Sequence, residues 1–558
     1  MFSFKLYGSN VNLRRFATCS VVRLLALLLL FASVGDASAA TTKTSKAKSS
    51  GKTKAAVSKA QTKKPSTEST SKSKTRNPDD DDADDSGSKT AHVEVLTSTT
   101  PANVASILEP IVRASAAASY WGVKVVLQQT GQTIFEYNPD AAFIPASNRK
   151  LFTGALALDQ LGPDFRFRSY LYRTGEVDSG GTLNGNLVLK PSGDPTFSKT
   201  MYNSANSDWV FRDWAKKVSD AGIKYVRGDL LIDCSDWDMG DLYPQGWPAR
   251  VMQDNYAPQT SPLTLNENLM TVIVNPGEKG KSGVITFSPP APGYPVINQT
   301  VTGAKGGVSV RRPIGGGAIA VSGGANKAGQ GAELPCDNPT LFAAANFRHH
   351  LKLLNIGVQG SVRIISAKNM VPGWNDSTLL AAVESPPLSE IVRHMMKRSD
   401  NHMAEQVYVA VSAHKLGRGG YRASRKLEDN LLQRAGIRPA DVQAFDGCGL
   451  SEANKVSPNQ TCKLLTFMLT HPSAQHFFDS MAISGRDGTL RGRMNSERLR
   501  ERVHAKTGTI NGVKCLSGYL LVDPQHTLAF SFLVNKARGG SPSGTQDRLC
   551  SVLAGLQF

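Results

Sequence analysis

Three short segments contain the residue types needed to form and break an acyl bond. A serine hydroxyl is a useful nucleophile only when a neighbouring base takes its proton, and a desolvated lysine can be that base. A second serine, an amide and a second lysine could relay the proton, orient the substrate and bind an anionic group. These types occur, in chain order, in Ser147-x-x-Lys150, Ser399-Asp400-Asn401 and Lys506-Thr507-Gly508-Thr509.

The Ser-x-x-Lys spacing alone does not identify a nucleophile, because the chain contains it elsewhere. Most of these copies lie in 41–90, a low-complexity stretch without aromatic residues, which cannot bury a core. A hydrated lysine there stays protonated at neutral pH and cannot be a base. The pair Ser412/Lys415 ends a helical pattern before Leu-Gly-Arg-Gly-Gly, so we expect it at the surface. The low-complexity copies include Ser45/Lys48, Ser49/Lys52, Ser69/Lys72 and Ser71/Lys74.

The stretch SNRKLFTGALALDQLG (147–162) has helical spacing. Apolar residues recur at 151, 155, 158 and 161, and Gly162 is a stop signal. Ser147 and Lys150 therefore fall on one face of the predicted first turn. A helix N-terminus disfavours a protonated amine, which would lower the pKa of a lysine placed there. From this segment alone, a serine that caps the helix and a surface lysine are the simpler interpretation.

The other two motifs also fall at element boundaries. Residues 385–413 predict two helices, with Ser399-Asp400-Asn401 at their junction and Asp400 in a structural role. The end of the chain predicts a pair of strands, with Lys506-Thr507-Gly508 on an edge strand, and then a final helix. Nearer the start, 121–139 predicts two strands joined at Thr130-Gly131.

A long section between the first two motifs, about 165–375, is predicted to be rich in β-structure. It contains short alternating runs such as GNLVLKPSG and MTVIVNPG, separated by Gly and Pro. Asp194, in the sequence Gly-Asp-Pro, is interpreted as a turn residue.

The N-terminus has the pattern of a secretory signal. Basic residues precede the apolar run LLALLLLFASV (24–34), and Ala37-Ser38-Ala39 is typical of a cleavage site. The apolar run is shorter than the ~20 residues of a membrane span, although an uncleaved anchor is an alternative. We therefore predict a signal peptide at 1–39, a disordered Lys/Ser-rich and then Asp-rich linker at 40–92, and export to the periplasm or cell envelope.

The formal net charge is +18. Export makes nucleic acid an unsuitable partner for this charge, so we predict no nucleic-acid binding. An anionic wall polymer or membrane surface is the counterpart we expect for peripheral contact, and a generically basic, solvated surface is an equal alternative.

Six cysteines follow the predicted signal, and none forms a Cys-x-x-Cys pair. A zinc or redox motif has no support in this spacing. Disulfides are compatible with export, but the sequence does not define their connectivity. The six are Cys234, Cys336, Cys448, Cys462, Cys515 and Cys550.

The three motifs in this order resemble the active-site set of penicillin-binding proteins and serine β-lactamases. The long insertion implied by the separation of 252 positions from Ser147 to Ser399 resembles in particular the penicillin-binding protein 4 type of D-alanyl-D-alanine carboxypeptidase/endopeptidase (low-molecular-mass class C). The resemblance covers about 93–558. It extends to GDPTF (193–197), GWPARVMQDNYAP (246–258), SPLTLNENLMTVIV (261–274), FDGCGLS (445–451) and SGRDGTLRGRM (484–494).

The resemblance implies an α+β fold, an α/β/α sandwich around an antiparallel sheet that is interrupted by a large β-rich insertion. It implies a peptidase domain in two parts, 93–164 and 376–558, with the inserted domain or domains at 165–375. It also implies a serine hydrolase of D-alanyl-D-alanine bonds, and of D-Ala–diaminopimelate crosslinks, acting on peptidoglycan peptide stems. Penicillin and other β-lactams would acylate it, and no metal or cofactor is required.

The same resemblance assigns roles to the motif residues. Ser147 would be the nucleophile and Lys150 its base, with Ser399 relaying the proton and Asn401 holding Lys150 and a substrate amide. Lys506, Thr507 and Thr509 would bind the substrate carboxylate, Gly508 would let a substrate backbone approach, and the N–H groups of Ser147 and Thr509 would form the oxyanion hole.

One position departs from the family, which usually has serine where this chain has Cys448. A small buried residue, a disulfide partner and a reactive thiol are the three interpretations of this cysteine. The alternatives for the function as a whole are a β-lactamase and a non-catalytic wall-binding scaffold. Neither the balance of carboxypeptidase and endopeptidase activity nor the oligomeric state follows from the sequence.

Overall fold

The computed structural model describes residues 100–198, 201, 206–313, 316–366 and 378–558. The predicted signal peptide at 1–39, the predicted linker at 40–92 and the Ser-x-x-Lys copies in 41–90 lie outside these residues. Among the described residues, no helix combines the length and apolarity needed to cross a membrane. The described helices are α1 (Val104–Ala116), α2 (Arg149–Leu161), α3 (Trp209–Asp220), α4 (Pro339–Leu353), α5 (Leu388–Arg398), α6 (Asn401–Leu416), α7 (Tyr421–Arg434), α8 (Pro458–Leu469), α9 (Ala474–Asp479) and α10 (Pro542–Leu553).

The strands form five sheets within the described part of the chain. They are β1 (Tyr120–Leu127), β2 (Thr133–Tyr137), β3 (Arg168–Arg173), β4 (Glu176–Val177), β5 (Thr182–Asn184), β6 (Leu187–Lys190), β7 (Tyr225–Val226), β8 (Leu230–Asp233), β9 (Leu269–Asn275), β10 (Val284–Ser288), β11 (Val296–Thr302), β12 (Val308–Arg311), β13 (Ile319–Ala325), β14 (Gln330–Pro335), β15 (Gly357–Val358), β16 (Val362–Ile365), β17 (Leu379–Glu384), β18 (Ala482–Ile483), β19 (Val503–Ile510), β20 (Val513–Leu521) and β21 (Thr527–Asn535).

The largest sheet is antiparallel throughout and has the order β18-β19-β20-β21-β1-β2. The predicted pair β1 and β2 is confirmed. The prediction of a single pair of strands near the C-terminus is wrong, because three strands form there. The first of the two predicted strands is a hairpin, β19 and β20, whose two-residue connection is Asn511-Gly512 with Gly512 at φ +70°. Asn-Gly is a strong hairpin signal because both central residues of its turn need positive φ.

Helices cover both faces of this sheet, which is the predicted α/β/α sandwich. On one face α1 and α10 pack together over an apolar core that contains Leu108, Phe530 and Leu549. On the other face α8 packs against β21 and β1. With both faces buried, β20 and β21 are buried along almost their whole length, which obscures the alternation of a half-exposed strand.

The inserted section contains β3–β16 in the other four sheets, as its sequence predicts, but also α3 and α4, which pack against each other. The β-rich description of 165–375 did not include these two helices. The five-stranded sheet has the order β16-β8-β6-β3-β17. Because β17 pairs with β3, this sheet continues beyond the predicted boundary at residue 375.

Helix α2 lies at the centre of the helical layer and contacts α5, α6 and α7. All ten residues from Arg149 to Leu158 are buried, so α2 is enclosed on every side. Gly154 makes room for α5, since a Cβ there would lie 3.3 Å from Val392. The predicted helix pair at 385–413 is confirmed as α5 and α6.

Candidate active site

Ser147 lies in a tight turn immediately before α2. Residues Ala146–Asn148 form one turn of 3-10 helix, and α2 begins at Arg149 with Asn148 as its N-cap residue. Ala146 has φ +45° although it is not glycine, a conformation that persists only when the surroundings enforce it. Ser147 is therefore not the N-cap residue of α2, and the capping interpretation is wrong.

Two glycines hold this turn in place from opposite sides. A Cβ at Gly449 would lie 1.9 Å from the carbonyl oxygen of Ala146, and Gly449 itself has φ +100°. A Cβ at Gly508 would lie 2.9 Å from the carbonyl oxygen of Pro145 and 3.1 Å from the backbone nitrogen of Ser147. Gly508 is thus required for the approach of β19 to the protein's own chain, a reason that differs from the substrate contact predicted for it.

Lys150 is fully buried and its amine lies against the serine. The Nζ atom is 2.8 Å from Ser147 Oγ, 2.6 Å from Asn401 Oδ1 and 3.0 Å from the carbonyl oxygen of Cys448. Its exposed fraction is 0%, so the surface-lysine interpretation is wrong. The three contacts use all the hydrogen-bonding capacity of an amine, and they aim Nζ at one serine oxygen.

The second motif forms the corner between α5 and α6. Ser399 ends α5 with φ +56° in the left-handed region. The Asp400 side chain accepts a hydrogen bond from the backbone N–H of Met403 at 2.8 Å and so caps α6, which confirms its structural role. Asn401 is the first residue of α6 and donates from Nδ2 to the carbonyl oxygen of Tyr256 at 3.1 Å. The cap and this bond fix the amide that holds Lys150.

The third motif is joined to the second through a lysine–serine contact. Lys506 is fully buried, and its Nζ lies 2.7 Å from Ser399 Oγ and 2.9 Å from the carbonyl oxygen of Thr507. Thr507 Oγ1 donates to Thr489 Oγ1 at 2.8 Å. Thr509 is half-buried, and its hydroxyl accepts a hydrogen bond from Lys514 Nζ at 3.2 Å. All eight residues predicted for the site therefore lie around the Ser147 turn, the α5–α6 corner and β19.

The outer edge of β19 is only partly covered by strand pairing. Within the described residues, β18 pairs with β19 at Ala505 and His504, and the pairing stops before Lys506. The segment 506–510 therefore offers an edge to which an extended peptide could add as a strand.

Two buried carboxylates beside the site were not predicted. Glu405, one turn after Asn401 on α6, accepts hydrogen bonds from the backbone N–H groups of Gly447 and Cys448. Asp446 accepts from Trp247 Nε1 at 2.9 Å and from three further donors. Burial raises the pKa of Glu405 to about 7. The available signal was a single acidic residue inside the largely apolar run MAEQVYVAV. A helix face exposed to solvent would not have so apolar a sequence around that residue.

Glu405, Asp446 and Cys448 also bring their ligand atoms within 4.8 Å of one another. Both carboxylates are already engaged by N–H donors, and burial raises the pKa of the Cys448 thiol well above its ordinary value. A metal ion would have to displace these hydrogen bonds and bind a thiolate that this environment disfavours. The donor set therefore fits a hydrogen-bonded cluster better than a metal site.

None of the six cysteines, all of which lie within the described residues, forms a disulfide, and all six are buried. Of the interpretations of Cys448, the small buried residue is the one that agrees with the structure, while a disulfide partner does not.

Two other predictions concern polar residues outside the site. Asp194 is a buried turn residue, whose Oδ1 accepts from Thr196 N and Oγ1 at 2.8 and 2.6 Å. Lys415 is exposed, but Ser412 is buried and bonded to Gly420 and Ser424. The surface prediction was therefore wrong for Ser412, because the last turns of α6 still pack against α7.

Comparisons with known proteins agree on one family. The model of the Peptidase S13 family, described as the D-Ala-D-Ala carboxypeptidase 3 (S13) family, matches residues 102–554. The chain is 32% identical over 451 residues to a D-alanyl-D-alanine carboxypeptidase of Actinomadura sp. (strain R39), covering 78% of this chain and 81% of that protein. It is 26% identical over 430 residues to D-alanyl-D-alanine carboxypeptidase DacB of Haemophilus influenzae, covering 72% and 83%.

Among solved structures, penicillin binding protein 4 (dacB) of Haemophilus influenzae superimposes with a TM-score of 0.66 at 23% identity, covering 80% of this chain and 98% of that one. The same protein has been solved in complex with a β-lactam, with a TM-score of 0.61. This likeness confirms the predicted α+β fold.

Proposed function

The chain belongs to the S13 family of D-Ala-D-Ala carboxypeptidases and is a serine DD-peptidase, and we propose that it forms its acyl-enzyme on Ser147. The observation that carries the proposal is the buried Lys150 amine, 2.8 Å from Ser147 Oγ and aimed there by Asn401 and Cys448. A base must be within hydrogen-bond reach of the proton that it abstracts, and Lys150 meets this condition.

The proposed acylation proceeds in two bond changes. Neutral Lys150 takes the hydroxyl proton while Ser147 Oγ adds to the carbonyl carbon of the penultimate D-alanine. The tetrahedral intermediate then expels the terminal D-alanine as its C–N bond breaks, and the leaving amine receives a proton through Ser399. The proton that Lys150 took from the hydroxyl is the one that reaches the leaving amine. Water subsequently attacks the ester and gives a proton to Lys150, and this proton passes to Ser147 Oγ as the ester C–O bond breaks and the shortened peptide leaves.

Binding of the substrate carboxylate is assigned to the third motif. Lys506 would supply a buried positive charge next to Ser399, and the hydroxyls of Thr507 and Thr509 would donate hydrogen bonds to the same group. Thr507 would then exchange its hydrogen bond to Thr489 for one to the substrate. Gly508 brings β19 against the backbone nitrogen of Ser147, which supports an oxyanion hole made of the N–H groups of Ser147 and Thr509.

We also propose the finer points of substrate and location. Hydrolysis of D-Ala–diaminopimelate crosslinks would use the same acyl-enzyme, because only the leaving amine differs. Acylation by β-lactams follows from the proposed nucleophile, and a β-lactam complex is described for the Haemophilus influenzae relative. Export to the periplasm or envelope is supported by the N-terminal sequence pattern, and contact with the wall by the basic charge.

A β-lactamase usually has a dedicated carboxylate base that activates water beside its ester. The buried carboxylate of Glu405 accepts hydrogen bonds from the backbone N–H groups of Gly447 and Cys448, and these bonds occupy it. This arrangement favours a peptidase over a lactamase.

The test is labelling of the full chain with a fluorescent penicillin, together with release of D-alanine from a small D-Ala–D-Ala peptide. We expect persistent labelling, mapped by mass spectrometry to the peptide containing Ser147, and loss of both signals in Ser147→Ala. Rapid release of the label would instead indicate a β-lactamase, and absence of labelling a binding scaffold. A Ser147→Ala protein that still acylates would exclude this serine as the nucleophile.

A further inference from the structure

Lys150 is supported by a side chain of α6 and by a backbone carbonyl of a distant loop. Asn401 holds the amine directly, with Oδ1 at 2.6 Å from Nζ. The carbonyl of Cys448 is the other support, at 3.0 Å, and it belongs to a loop that has no regular secondary structure at this point. What orients this carbonyl therefore influences where the amine points.

The loop is anchored by Glu405. The backbone N–H of Cys448 donates to Glu405 Oε1 at 2.6 Å, and the N–H of Gly447 lies 3.0 Å from both carboxylate oxygens. Tyr421, on α7, donates its hydroxyl to Oε2 at 2.7 Å. Successive N–H groups that converge in this way suit an anion, and charge-assisted bonds of this kind are roughly twice as strong as neutral ones.

The loop also has little freedom to adopt another position. A Cβ at Gly447 would lie 2.8 Å from the carbonyl oxygen of Ala404 on α6, and Thr153 on α2 donates to the carbonyl oxygen of Gly447 at 2.6 Å. On its other side, Gly449 touches the Ala146 carbonyl in the Ser147 turn. The segment 447–449 therefore lies between α6 and the nucleophile.

We propose that Glu405 is a positioning residue for acylation, which orients the Gly447–Cys448 backbone so that the Cys448 carbonyl keeps Lys150 Nζ on Ser147 Oγ. The inference rests on the proposed roles of Ser147 and Lys150. Glu405 touches neither the serine nor the lysine in the contacts described above, and it acts through the backbone of Cys448 and not through its thiol.

The carboxylate form of Glu405 is the one that serves this role. A protonated carboxyl would turn an O–H toward two N–H donors and would lose one of the charge-assisted bonds. The titratable groups that face Glu405 are Asp446 and Cys448 on the loop, Tyr421 on α7 and Tyr243, with Lys150 on α2 beyond the Cys448 carbonyl. Since burial raises the pKa of Glu405 to about 7, its protonation falls in a range that a pH profile of acylation can reach.

The experiment compares Glu405→Gln with the wild type in stopped-flow acylation by a fluorescent penicillin, which separates the acylation rate constant from the dissociation constant of the noncovalent complex. We expect the rate constant to fall about 10- to 100-fold, because a small misplacement of a catalytic group has effects of this size. The dissociation constant should stay within about twofold, since Glu405 is not in contact with the ligand. The acid limb of the pH profile should lose one ionisation.

Two matched control variants keep the hydrogen bonds from the backbone N–H groups of Gly447 and Cys448 to Glu405. Cys448→Ser retains the N–H and the carbonyl of residue 448, and Tyr421→Phe removes only the bond to Glu405 that does not come from the loop. Each of these variants should lose much less of the acylation rate than Glu405→Gln does. Glu405→Asp keeps the charge but is one methylene shorter, so it should recover only part of the rate, and thermal melting checks that each variant is folded.

The inference is overturned if Glu405→Gln acylates within twofold of the wild type, if its loss appears equally in the dissociation constant, or if its acid limb is unchanged. A loss in Cys448→Ser as large as that in Glu405→Gln would assign the effect to the side chain at 448 and would also overturn it. Lys150→Ala is measured in parallel. If that variant acylates normally, the proposed function itself fails, whereas an inactive Lys150→Ala with a normal Glu405→Gln rejects only the role of Glu405.

Discussion

The start of α2 and the end of α6 both carry Ser-x-x-Lys, with both serines buried, yet only one pair can do the proposed chemistry. At the start of α2 the lysine is enclosed, and its amine lies on the oxygen of Ser147. At the end of α6, Lys415 is exposed, and Ser412 bonds to Gly420 and Ser424 instead. The comparison teaches that the environment of the lysine, and not the spacing, separates a nucleophile from a structural serine.

The largest effect is expected from removing each lysine in turn. Lys150→Ala should lower the rate of acylation by penicillin by at least about 10³-fold, because general-base catalysis contributes 10²–10⁴-fold. Lys415→Ala, with its side chain in solvent, should be unchanged within about twofold. Pre-steady-state labelling measures both, and comparable rates in the two variants would mean that burial of the lysine is not what distinguishes the pairs.

The next effect concerns the glycines that adjoin each pair. Gly449→Ala forces a Cβ onto the Ala146 carbonyl at positive φ, and we expect a loss of more than about 3 kcal/mol in the free energy of unfolding, together with loss of labelling. Gly417→Ala, at the end of α6, has φ +62° but nothing within 4 Å. It should lose only about 1 kcal/mol. Denaturant titration of both variants is the measurement, and equal losses would show that the Ser147 turn is not held as described.

A smaller effect separates the two buried lysines of the site. Lys506→Ala should slow hydrolysis of a D-Ala–D-Ala peptide with a free carboxylate about 10- to 100-fold, because a lost hydrogen-bonded charge costs roughly 1.5–3 kcal/mol. An acyl donor without a carboxylate should be affected much less, whereas Lys150→Ala should affect both substrates alike. The measurement is steady-state kcat/KM for the two substrates. If Lys506→Ala lowers kcat/KM equally for both substrates, recognition of the carboxylate is not the role of Lys506.

The smallest effect is expected at the structural serine. Ser412→Ala removes a hydroxyl that is hydrogen-bonded between α6 and α7, so the free energy of unfolding should fall by about 1 kcal/mol while acylation stays at the wild-type rate. Thermal or chemical unfolding and penicillin labelling measure the two quantities. A Ser412→Ala variant that loses acylation without unfolding would contradict the assignment of this pair as structural.

Much of the fold could be predicted from local signals. The helix pair α5–α6, the strands β1 and β2, and a helix opening near Ser147 all follow from periodicity and stop signals within a few residues. Strands β19 and β20 were predicted as a single strand although Asn511-Gly512 marks the turn between them. Strands that are buried on both faces lack the regular alternation that would show where each one begins and ends. Helices α3 and α4 were missed because they lie among strand-like segments, where the alternating runs dominated the interpretation.

The sequence by itself determined which residue types are available and the order of the three motifs, because covalent order and local propensity are properties of the chain. It also determined the structural role of Asp400, because the cap that this residue forms on α6 is a local contact. Only the tertiary structure decided which lysine is desolvated, since Lys150 is buried by helices and a loop up to 300 residues away in sequence. The same long-range packing decided that Gly508 lies against the Ser147 turn and that the Glu405 carboxylate accepts a hydrogen bond from the backbone N–H of Cys448. Contacts between distant segments depend on how whole layers pack, and no local pattern records them.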